Sequence, residues 1–300
     1  MTLFLWVFPD GRQVVKLVTF THNRATRIGA VEGDEVVDFS ANGHGLPPDM
    51  LTFLEQGDAA LAAARTACAS GQGRLALADV ALESPILRPP KILAVGLNYR
   101  DHVEETGMPM PQVPMIFNKQ STSAMGPYSD IHLPAESEQL DYEGELGIVI
   151  GKRCRRVSKA NAAEVIAGYT VVNDVSVRDW QMASATFTMG KSWDTHCPIG
   201  PYIVTGDEVP DPHALDLHTW VNGELRQSSN TKYLIFNCFD IVEHLSTAFT
   251  LEPGDVIPTG TPSGVAMGLD PVVWLKAGDV VRITIDRVGT IENPVVNEPR

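Results

Sequence analysis

Three carboxylates occupy alternate positions in the segment LDYEGELGIVIGK, residues 140–152. In a β-strand, Asp141, Glu143 and Glu145 would point to one face. Like charges on one face repel each other unless a cation lies between them. A further carboxylate, Asp174, ends the hydrophobic pattern GYTVVND. Because oxygen donors without His or Cys suit a hard cation, Glu143, Glu145 and Asp174 indicate a site for Mg²⁺, Mn²⁺ or Ca²⁺.

The outermost carboxylate of this segment, Asp141, lies one step further from the apolar run LGIVIG, and we predict that it faces solvent at the rim of the site. The alternative for the whole segment is a half-exposed strand that keeps its polar face in water. The apolar run favours the metal site, since it would bury the strand end that carries Glu143 and Glu145.

A histidine and a glutamate share one side of a short helical turn in GLNYRDHVEETG, residues 96–107. His102 and Glu105 are spaced i, i+3, so their side chains can meet. A carboxylate that fixes the histidine tautomer and stabilises the imidazolium is typical of a general base. The alternative is a surface turn with an incidental ion pair. The Gly- and Pro-rich TGMPMPQVP that follows is typical of a mobile lid.

Four more side chains are candidates for contacts with an anionic substrate. If a helical turn follows Asp174, Arg178 and Gln181 share its side. Lys191, in GKSWD, is a candidate to stabilise developing charge, and Thr261, in PTGTPSG, lies among glycines whose backbone N–H groups can bind a carboxylate. The ordinary alternatives are a solvated cation and a simple turn.

The composition excludes several classes of protein. The 300 residues carry a formal net charge of −14, which leaves no broad basic face for nucleic acid. The four cysteines are widely spaced and indicate free thiols in a reducing compartment. The apolar run LFLWVF is short for a signal peptide, and no run approaches the roughly 20 apolar residues of a membrane span. We therefore predict a cytoplasmic protein with no membrane partner.

The remaining patterns predict a strand-rich α+β fold. Short strands and one Ala- and Leu-rich helix indicate a small N-terminal α+β domain over residues 1–85, with residues 1–15 as an extension. The prolines of ESPILRPPKI mark the boundary to a second domain over residues 86–300, which is mainly strands. SKANAAEVIAG and NCFDIVEHLSTAF predict helices there. No glycine-rich nucleotide cradle follows a strand.

Six motifs together resemble the fumarylacetoacetate hydrolase family in its compact form, which includes acylpyruvate hydrolases. They run in family order from Lys91 to Asn297 and are GLNYRDHVEETG, FNKQSTSAMGP, DYEGELGIVIGK, GYTVVNDVSVRDWQ, GKSWDTHCPIGP and GDVIPTGTPSGVAMG. The resemblance implies a mixed β-roll or β-sandwich core and a homodimer. The chain departs from the longer eukaryotic enzymes in GLNY, which lacks the additional Asp ligand that those enzymes carry near the lid.

The resemblance also implies a role for each candidate residue. Mg²⁺ or Mn²⁺ would be held by Glu143, Glu145 and Asp174, and Ca²⁺ could take the same site in a crystal. His102 and Glu105 would form the base dyad, and Lys191 would stabilise charge. Arg178, Gln181 and Thr261 would contact the substrate.

The implied function is metal-dependent hydrolysis of a C–C bond in a 2,4-dioxo acid of the acylpyruvate or fumarylpyruvate type, through a metal-bound enolate. Decarboxylation of oxaloacetate or isomerisation of a hydroxymuconate-type acid would use the same site, and the sequence does not separate these reactions. An alternative of another class is a catalytically silent metal-binding or interaction protein. The distal group of the substrate stays open, with Met108, Met110 and the MASATFTM stretch as candidate contacts.

Overall fold

The computed structural model describes residues 15–41, 43 and 45–299, so nearly all of the predicted extension and the LFLWVF run lie outside the described residues. Strands predominate over helices within these ranges, which confirms the predicted strand-rich α+β class. The strands of the N-terminal part are β1 (Lys16–His22), β2 (Ala25–Glu32), β3 (Glu35–Asp38), β4 (Arg74–Ala76) and β5 (Ala81–Leu82).

The rest of the described chain contributes fourteen further strands. They are β6 (Ile92–Gly96), β7 (Met115–Lys119), β8 (Ala124–Met125), β9 (Ile131–Leu133), β10 (Leu140–Asp141), β11 (Gly144–Ile150), β12 (Ile166–Asn173), β13 (Ser176–Val177), β14 (Cys197–Thr205), β15 (Asp216–Val221), β16 (Glu224–Asn230), β17 (Val256–Pro258), β18 (Val280–Ile285) and β19 (Gly289–Asn297).

Six α-helices accompany the strands of the described ranges, and two begin at side-chain caps. Asp49 accepts a hydrogen bond from the backbone N–H of Thr52, and Asn237 forms a reciprocal capping box with Asp240. The predicted SKANAAEV helix is instead a 3₁₀ helix over Lys159–Val165, and its Ser158 makes no capping hydrogen bond. The α-helices are α1 (Met50–Gln56), α2 (Asp58–Ala69), α3 (Arg100–Thr106), α4 (Arg178–Met182), α5 (Thr188–Lys191) and α6 (Cys238–Ala248).

A large mixed sheet forms the centre of the molecule. Its main path runs β4-β3-β2-β1-β14-β12-β11-β17-β6-β7, and only the β6–β17 pair along this path is parallel. A second sheet, in the order β16-β15-β18-β19-β9, packs against β11 and β12. Every residue of β11 is buried, as the apolar run LGIVIG predicts for a strand covered on both faces.

The N-terminal strands extend the same large sheet. Lys16 and Leu17 of β1 pair with Val204 and Ile203 of β14. The division into domains at residues 85 and 86 therefore stays a prediction from the sequence. None of the helices in the described ranges has the length and apolar character needed to cross a membrane.

Candidate active site

The three predicted metal ligands meet at one end of the central strands. Glu143, Glu145 and Asp174 are buried, and each offers a carboxylate oxygen within 4.8 Å of the others. The pairing of β11 with β12 sets Gly144 opposite Asn173, which brings the flanking acids together. The backbone N–H of Asp174 donates to the carbonyl of Glu143 over 2.9 Å, so the backbones of these two residues are held together beyond the paired strands.

Three buried cations surround these carboxylates. Lys191 Nζ lies 2.7 Å from Glu143 Oε2 and 2.8 Å from Asp174 Oδ2. Lys119 Nζ lies 2.7 Å from Asp174 Oδ1, and Arg178 Nη1 lies 2.6 Å from Glu143 Oε1. Lys191 is thus a buried partner of the acids, and the alternative of a solvated lysine does not hold.

The carboxylates differ in how well their charge is balanced. Burial alone would raise the pKa of Glu143, but the cations of Lys191 and Arg178 outweigh it and hold this pKa below its ordinary value. Burial and the negative charges of Asp174 and Glu143 raise the pKa of Glu145 well above its ordinary value. Among the described residues, the ion pairs leave Glu145 without a direct cationic partner, and it accepts only the backbone N–H of Gly260 over 2.7 Å.

This imbalance tests whether a divalent cation suits the site. Near its centre, the four carboxylates of Asp141, Glu143, Glu145 and Asp174 face the three cations, so ionisation of Glu145 would leave one negative charge unbalanced. All the clustered donors are carboxylate oxygens, which suit hard ions such as Mg²⁺ and Mn²⁺. The residues present therefore fit a divalent metal, and Glu145 is the acid that gains most from one.

The prediction that Asp141 lies at a solvated rim is wrong. Its side chain is fully buried and accepts the backbone N–H groups of Ala266 and Met267 over 2.7 and 3.1 Å. Arg178 Nε donates to Asp141 Oδ2 over 2.8 Å. Strand β10 ends at Asp141 and β11 begins at Gly144, so the alternation of one continuous strand does not hold here. Asp141 instead anchors Arg178 behind the carboxylate cluster.

The histidine and glutamate of α3 form the expected pair. His102 Nδ1 lies 2.9 Å from Glu105 Oε2, which leaves Nε2 as the ring nitrogen available for proton transfer. Glu105 is held in turn by the backbone N–H of Gly264, which donates to Oε1 over 2.8 Å. A Cβ at Gly268 would lie 2.2 Å from this same oxygen, so the glycine leaves room for the carboxylate in its present position.

The short helices α4 and α5 bring the remaining candidates to the same place. Gln181 Oε1 accepts from Arg178 Nη1 over 2.9 Å, and the two helices approach so closely that a Cβ at Gly190 would lie 2.2 Å from the backbone nitrogen of Gln181. This approach places Lys191 beside Arg178. Thr261 Oγ1 donates to the carbonyl of Gly144 over 3.0 Å.

One cavity of about 140 Å³ joins most of the predicted residues, whereas Asp174 and Glu105 do not line it. Its polar lining residues include His102, Glu143, Glu145, Arg178, Gln181, Lys191 and Thr261. Arg178 is 4% exposed, and its Nη2 has no hydrogen-bond partner among the residues that the structure describes. A buried guanidinium donor without a partner beside a cavity is suited to an anionic ligand.

Sequence reasoning missed Lys119 and misplaced Asp141. Lys119 ends the strand MIFNK, where a buried lysine is uncommon and indicates a charged partner. Nothing local identifies that partner, because Asp174 follows β12, which does not pair with β7. For Asp141, the only local signal was its alternation with Glu143 and Glu145, and alternation gives no depth of burial.

Comparison with known proteins gives a family match and several relatives. Residues 91–296 match the family model for the fumarylacetoacetate (FAA) hydrolase C-terminal domain. A mitochondrial oxaloacetate tautomerase from Xenopus laevis is 43% identical over 288 residues, covering 94% of this chain and 90% of that protein.

Two solved structures share the fold over nearly the whole chain. Maleylpyruvate hydrolase from Sphingobium sp. SYK-6, in complex with manganese(II) ion and pyruvate, is 35% identical with a TM-score of 0.80, covering 95% of this chain and 100% of that one. A 5-carboxymethyl-2-hydroxymuconate delta-isomerase from Mycobacterium smegmatis is 38% identical with a TM-score of 0.76, covering 94% and 100%. The chain therefore belongs to the fumarylacetoacetate hydrolase family.

Proposed function

We propose that the protein is a divalent-metal-dependent enzyme that transfers a proton at C3 of a 2-oxo acid, and that keto–enol tautomerisation is its principal reaction. The observation that carries the proposal is one cavity lined by His102, by Glu143 and Glu145, and by Arg178, whose Nη2 has no hydrogen-bond partner among the described residues. The volume of about 140 Å³ suits a small acid, since sites for drug-sized ligands occupy roughly 300–1,000 Å³.

Each group has a definite part in this reaction. Glu143, Glu145 and Asp174 would hold Mg²⁺ or Mn²⁺, which supplies Lewis acidity that favours the enolate of a bound 2-oxo acid. Arg178 and Gln181 bind and orient the substrate carboxylate, and Lys191 balances negative charge near the acids.

Proton transfer falls to His102. Its Nδ1 is engaged by Glu105, so Nε2 delivers its proton to C3 while the enol O–H proton passes to solvent. Solvent water then returns a proton to Nε2, so the net proton count is unchanged. Glu105 stabilises the imidazolium form and fixes the ring. Only O–H and C–H bonds change, so the reaction needs no oxidant and no attacking water.

The Xenopus relative supports tautomerisation of oxaloacetate as the first reaction to test. Hydrolysis of an acylpyruvate is the second candidate, because the dyad of His102 and Glu105 could also activate water for attack on a distal carbonyl. The Sphingobium structure, a hydrolase in complex with manganese(II) ion and pyruvate, favours this second candidate. Decarboxylation of oxaloacetate uses the same enolate and is scored in the same assays.

The test follows the decay of enol-oxaloacetate by ultraviolet absorbance, with saturating Mg²⁺ or Mn²⁺. We expect His102→Ala to lower kcat by roughly 10²–10⁴ through loss of the proton-transfer group. The matched control is His244→Ala on the exposed side of α6, which should retain wild-type activity. Equal rates for wild type and His102→Ala would exclude His102 from the reaction.

Parallel assays separate the remaining alternatives. Pyruvate released from acylpyruvate or fumarylpyruvate scores hydrolysis, and CO₂ released from oxaloacetate scores decarboxylation. Protein that binds metal but converts none of these acids would support the catalytically silent alternative. Full turnover after treatment with EDTA would contradict the metal-dependent mechanism. The homodimer and the cytoplasmic location stay predictions from the sequence, and the mitochondrial label belongs to the Xenopus relative.

A further inference from the structure

A fully buried asparagine, Asn98, lies between strand β6 and the helix α3 that carries His102, and it does not line the cavity. Its side-chain amide makes three hydrogen bonds to backbone groups. Nδ2 donates to the carbonyls of Phe236 and Thr259 over 2.9 and 2.7 Å, and Oδ1 accepts the N–H of Phe236 over 2.8 Å. Because both amide hydrogens and the amide oxygen are engaged, the side chain of Asn98 is held in one orientation.

The peptide between Thr259 and Gly260 connects this asparagine to a carboxylate of the cluster, and we call it the bridging peptide. Its carbonyl accepts from Asn98 Nδ2, and its N–H donates to Glu145 Oε2 over 2.7 Å. A peptide unit is planar, so a partner that fixes the direction of the carbonyl also fixes the direction of the N–H. Asn98 therefore aims the backbone donor that Glu145 accepts.

The bridging peptide needs such a partner because glycine follows it. Thr259 is anchored to β11, since its N–H and its hydroxyl both donate to the carbonyl of Leu146, over 3.0 and 2.9 Å. These bonds hold Thr259 but leave the rotation of the next peptide plane. Gly260 has φ 103°, a conformation that glycine adopts readily and that other residues rarely adopt. The hydrogen bond from Asn98 thus fixes a peptide plane that the backbone itself leaves free to turn.

We propose that Asn98 is a positioning residue for the divalent metal, and that it acts through the bridging peptide to hold Glu145 in the orientation that binds the ion. The inference rests on the proposed function, which assigns the metal to Glu143, Glu145 and Asp174. Ion pairs with buried lysines fix the other two carboxylates. Among the described residues, Glu145 has only the N–H of the bridging peptide to set its orientation.

The test measures binding of Mn²⁺ alone, through the loss of the electron paramagnetic resonance signal of free Mn²⁺. Residues that orient metal ligands typically contribute roughly 10–100-fold to metal affinity. We therefore expect Asn98→Ala to raise the Kd for Mn²⁺ by roughly 10–100-fold relative to wild type, because the N–H of Gly260 is no longer held towards Glu145. This measurement needs no substrate and no turnover.

The matched control is Asn293→Ala, on β19. Asn293 is also fully buried, and its Nδ2 donates to the carbonyls of Gly126 and Ser129 over 3.3 and 2.9 Å, away from the residues that line the cavity. Both substitutions remove a buried amide that serves backbone carbonyls, so both should lower the thermal midpoint. Only Asn98→Ala should weaken the binding of Mn²⁺. A merely structural role for Asn98 would give the same Kd in the two variants.

The outcomes separate the inference from the proposed function. If wild type does not bind Mn²⁺, the metal-dependent function fails, and the inference fails with it. If wild type binds Mn²⁺ and Asn98→Ala binds it equally well, only the inference about Asn98 is overturned. Where Asn98→Ala does not fold, Asn98→Ser takes its place in the same titration. Weaker binding by Asn98→Ser than by Asn293→Ala would support the inference, and an equal Kd would overturn it.

Discussion

Replacement of Asp141 by asparagine tests how the substrate-binding arginine is positioned. Asp141 accepts hydrogen bonds from the backbone N–H groups of Tyr142, Ala266 and Met267 over 2.7 to 3.1 Å, and from Arg178 over 2.8 Å. Asparagine has one accepting oxygen and one amide donor, so it cannot accept at both positions. The amide NH₂ of asparagine would also point at N–H donors, in the place where Asp141 presents an accepting carboxylate oxygen.

The expected cost follows from burial. Removal of one partner of a buried ion pair destabilises a protein by about 3–5 kcal/mol, because the other charge stays buried without compensation. Arg178 is 4% exposed and would keep only Glu143 as an anionic partner. Because Glu143 still compensates Arg178 while buried N–H donors lose an acceptor, we expect Asp141→Asn to lower the free energy of unfolding by about 1–3 kcal/mol and to weaken substrate binding through Arg178.

Urea denaturation of wild type and variant at equal protein concentration measures this change in the free energy of unfolding, as a shift of the midpoint while the dependence on urea concentration stays the same. Asp130→Asn is the matched control, since Asp130 is exposed and the same chemical change should leave stability within about 0.5 kcal/mol of wild type. A loss of less than about 1 kcal/mol for Asp141→Asn would refute the reasoning that a buried Asp141 holds Arg178.

Three further predictions address other parts of the structure. Burial lowers the pKa of His196 to about 3, so the unfolded chain binds this proton more tightly than the folded protein, and stability falls as the pH drops below about 6.5. Urea titrations at several pH values should show that wild type loses about 2 kcal/mol more stability than His196→Asn between pH 7 and pH 5. Equal losses would contradict this prediction. Lys119→Met leaves Asp174 Oδ1 without its cation, so added Mn²⁺ should raise the thermal midpoint of the variant more than that of wild type, and equal shifts would speak against it. Gly190→Ala places a Cβ 2.2 Å from the backbone nitrogen of Gln181 and should cost about 1–3 kcal/mol in urea denaturation, whereas an unchanged midpoint would show that the two helices separate freely.

The sequence predicts those parts of the site that depend on local spacing. The pair formed by His102 and Glu105 follows from one helical turn, and the helix predicted for NCFDIVEHLSTAF lies at Cys238–Ala248. The approach of Asp174 to Glu143 could be expected because both flank apolar strands, and antiparallel pairing of β11 with β12 brings the two acids together.

Depth and long-range pairing are harder to predict. Asp141 and Glu143 are two residues apart, but a break between β10 and β11 separates them. Asp141 contacts Arg178 and does not line the cavity, whereas Glu143 lines it. Lys119 and Lys191 are ordinary lysines in the sequence, and only the folded sheet shows that both contact Asp174. The 3₁₀ geometry of Lys159–Val165 likewise depends on tertiary packing that local helix patterns do not encode.

The central claim is that the carboxylate cluster and His102 together form the enolate of a 2-oxo acid. The most direct test is proton NMR of hydrogen–deuterium exchange at C3 of 2-oxobutanoate in D₂O, with saturating diamagnetic Mg²⁺. We predict rapid exchange with wild-type protein, and exchange slowed by roughly 10²–10⁴ in His102→Ala. We expect a comparable loss in Glu145→Gln, which removes one charged donor from the cluster. Exchange by wild type no faster than by His102→Ala, or undiminished by EDTA, would contradict the claim.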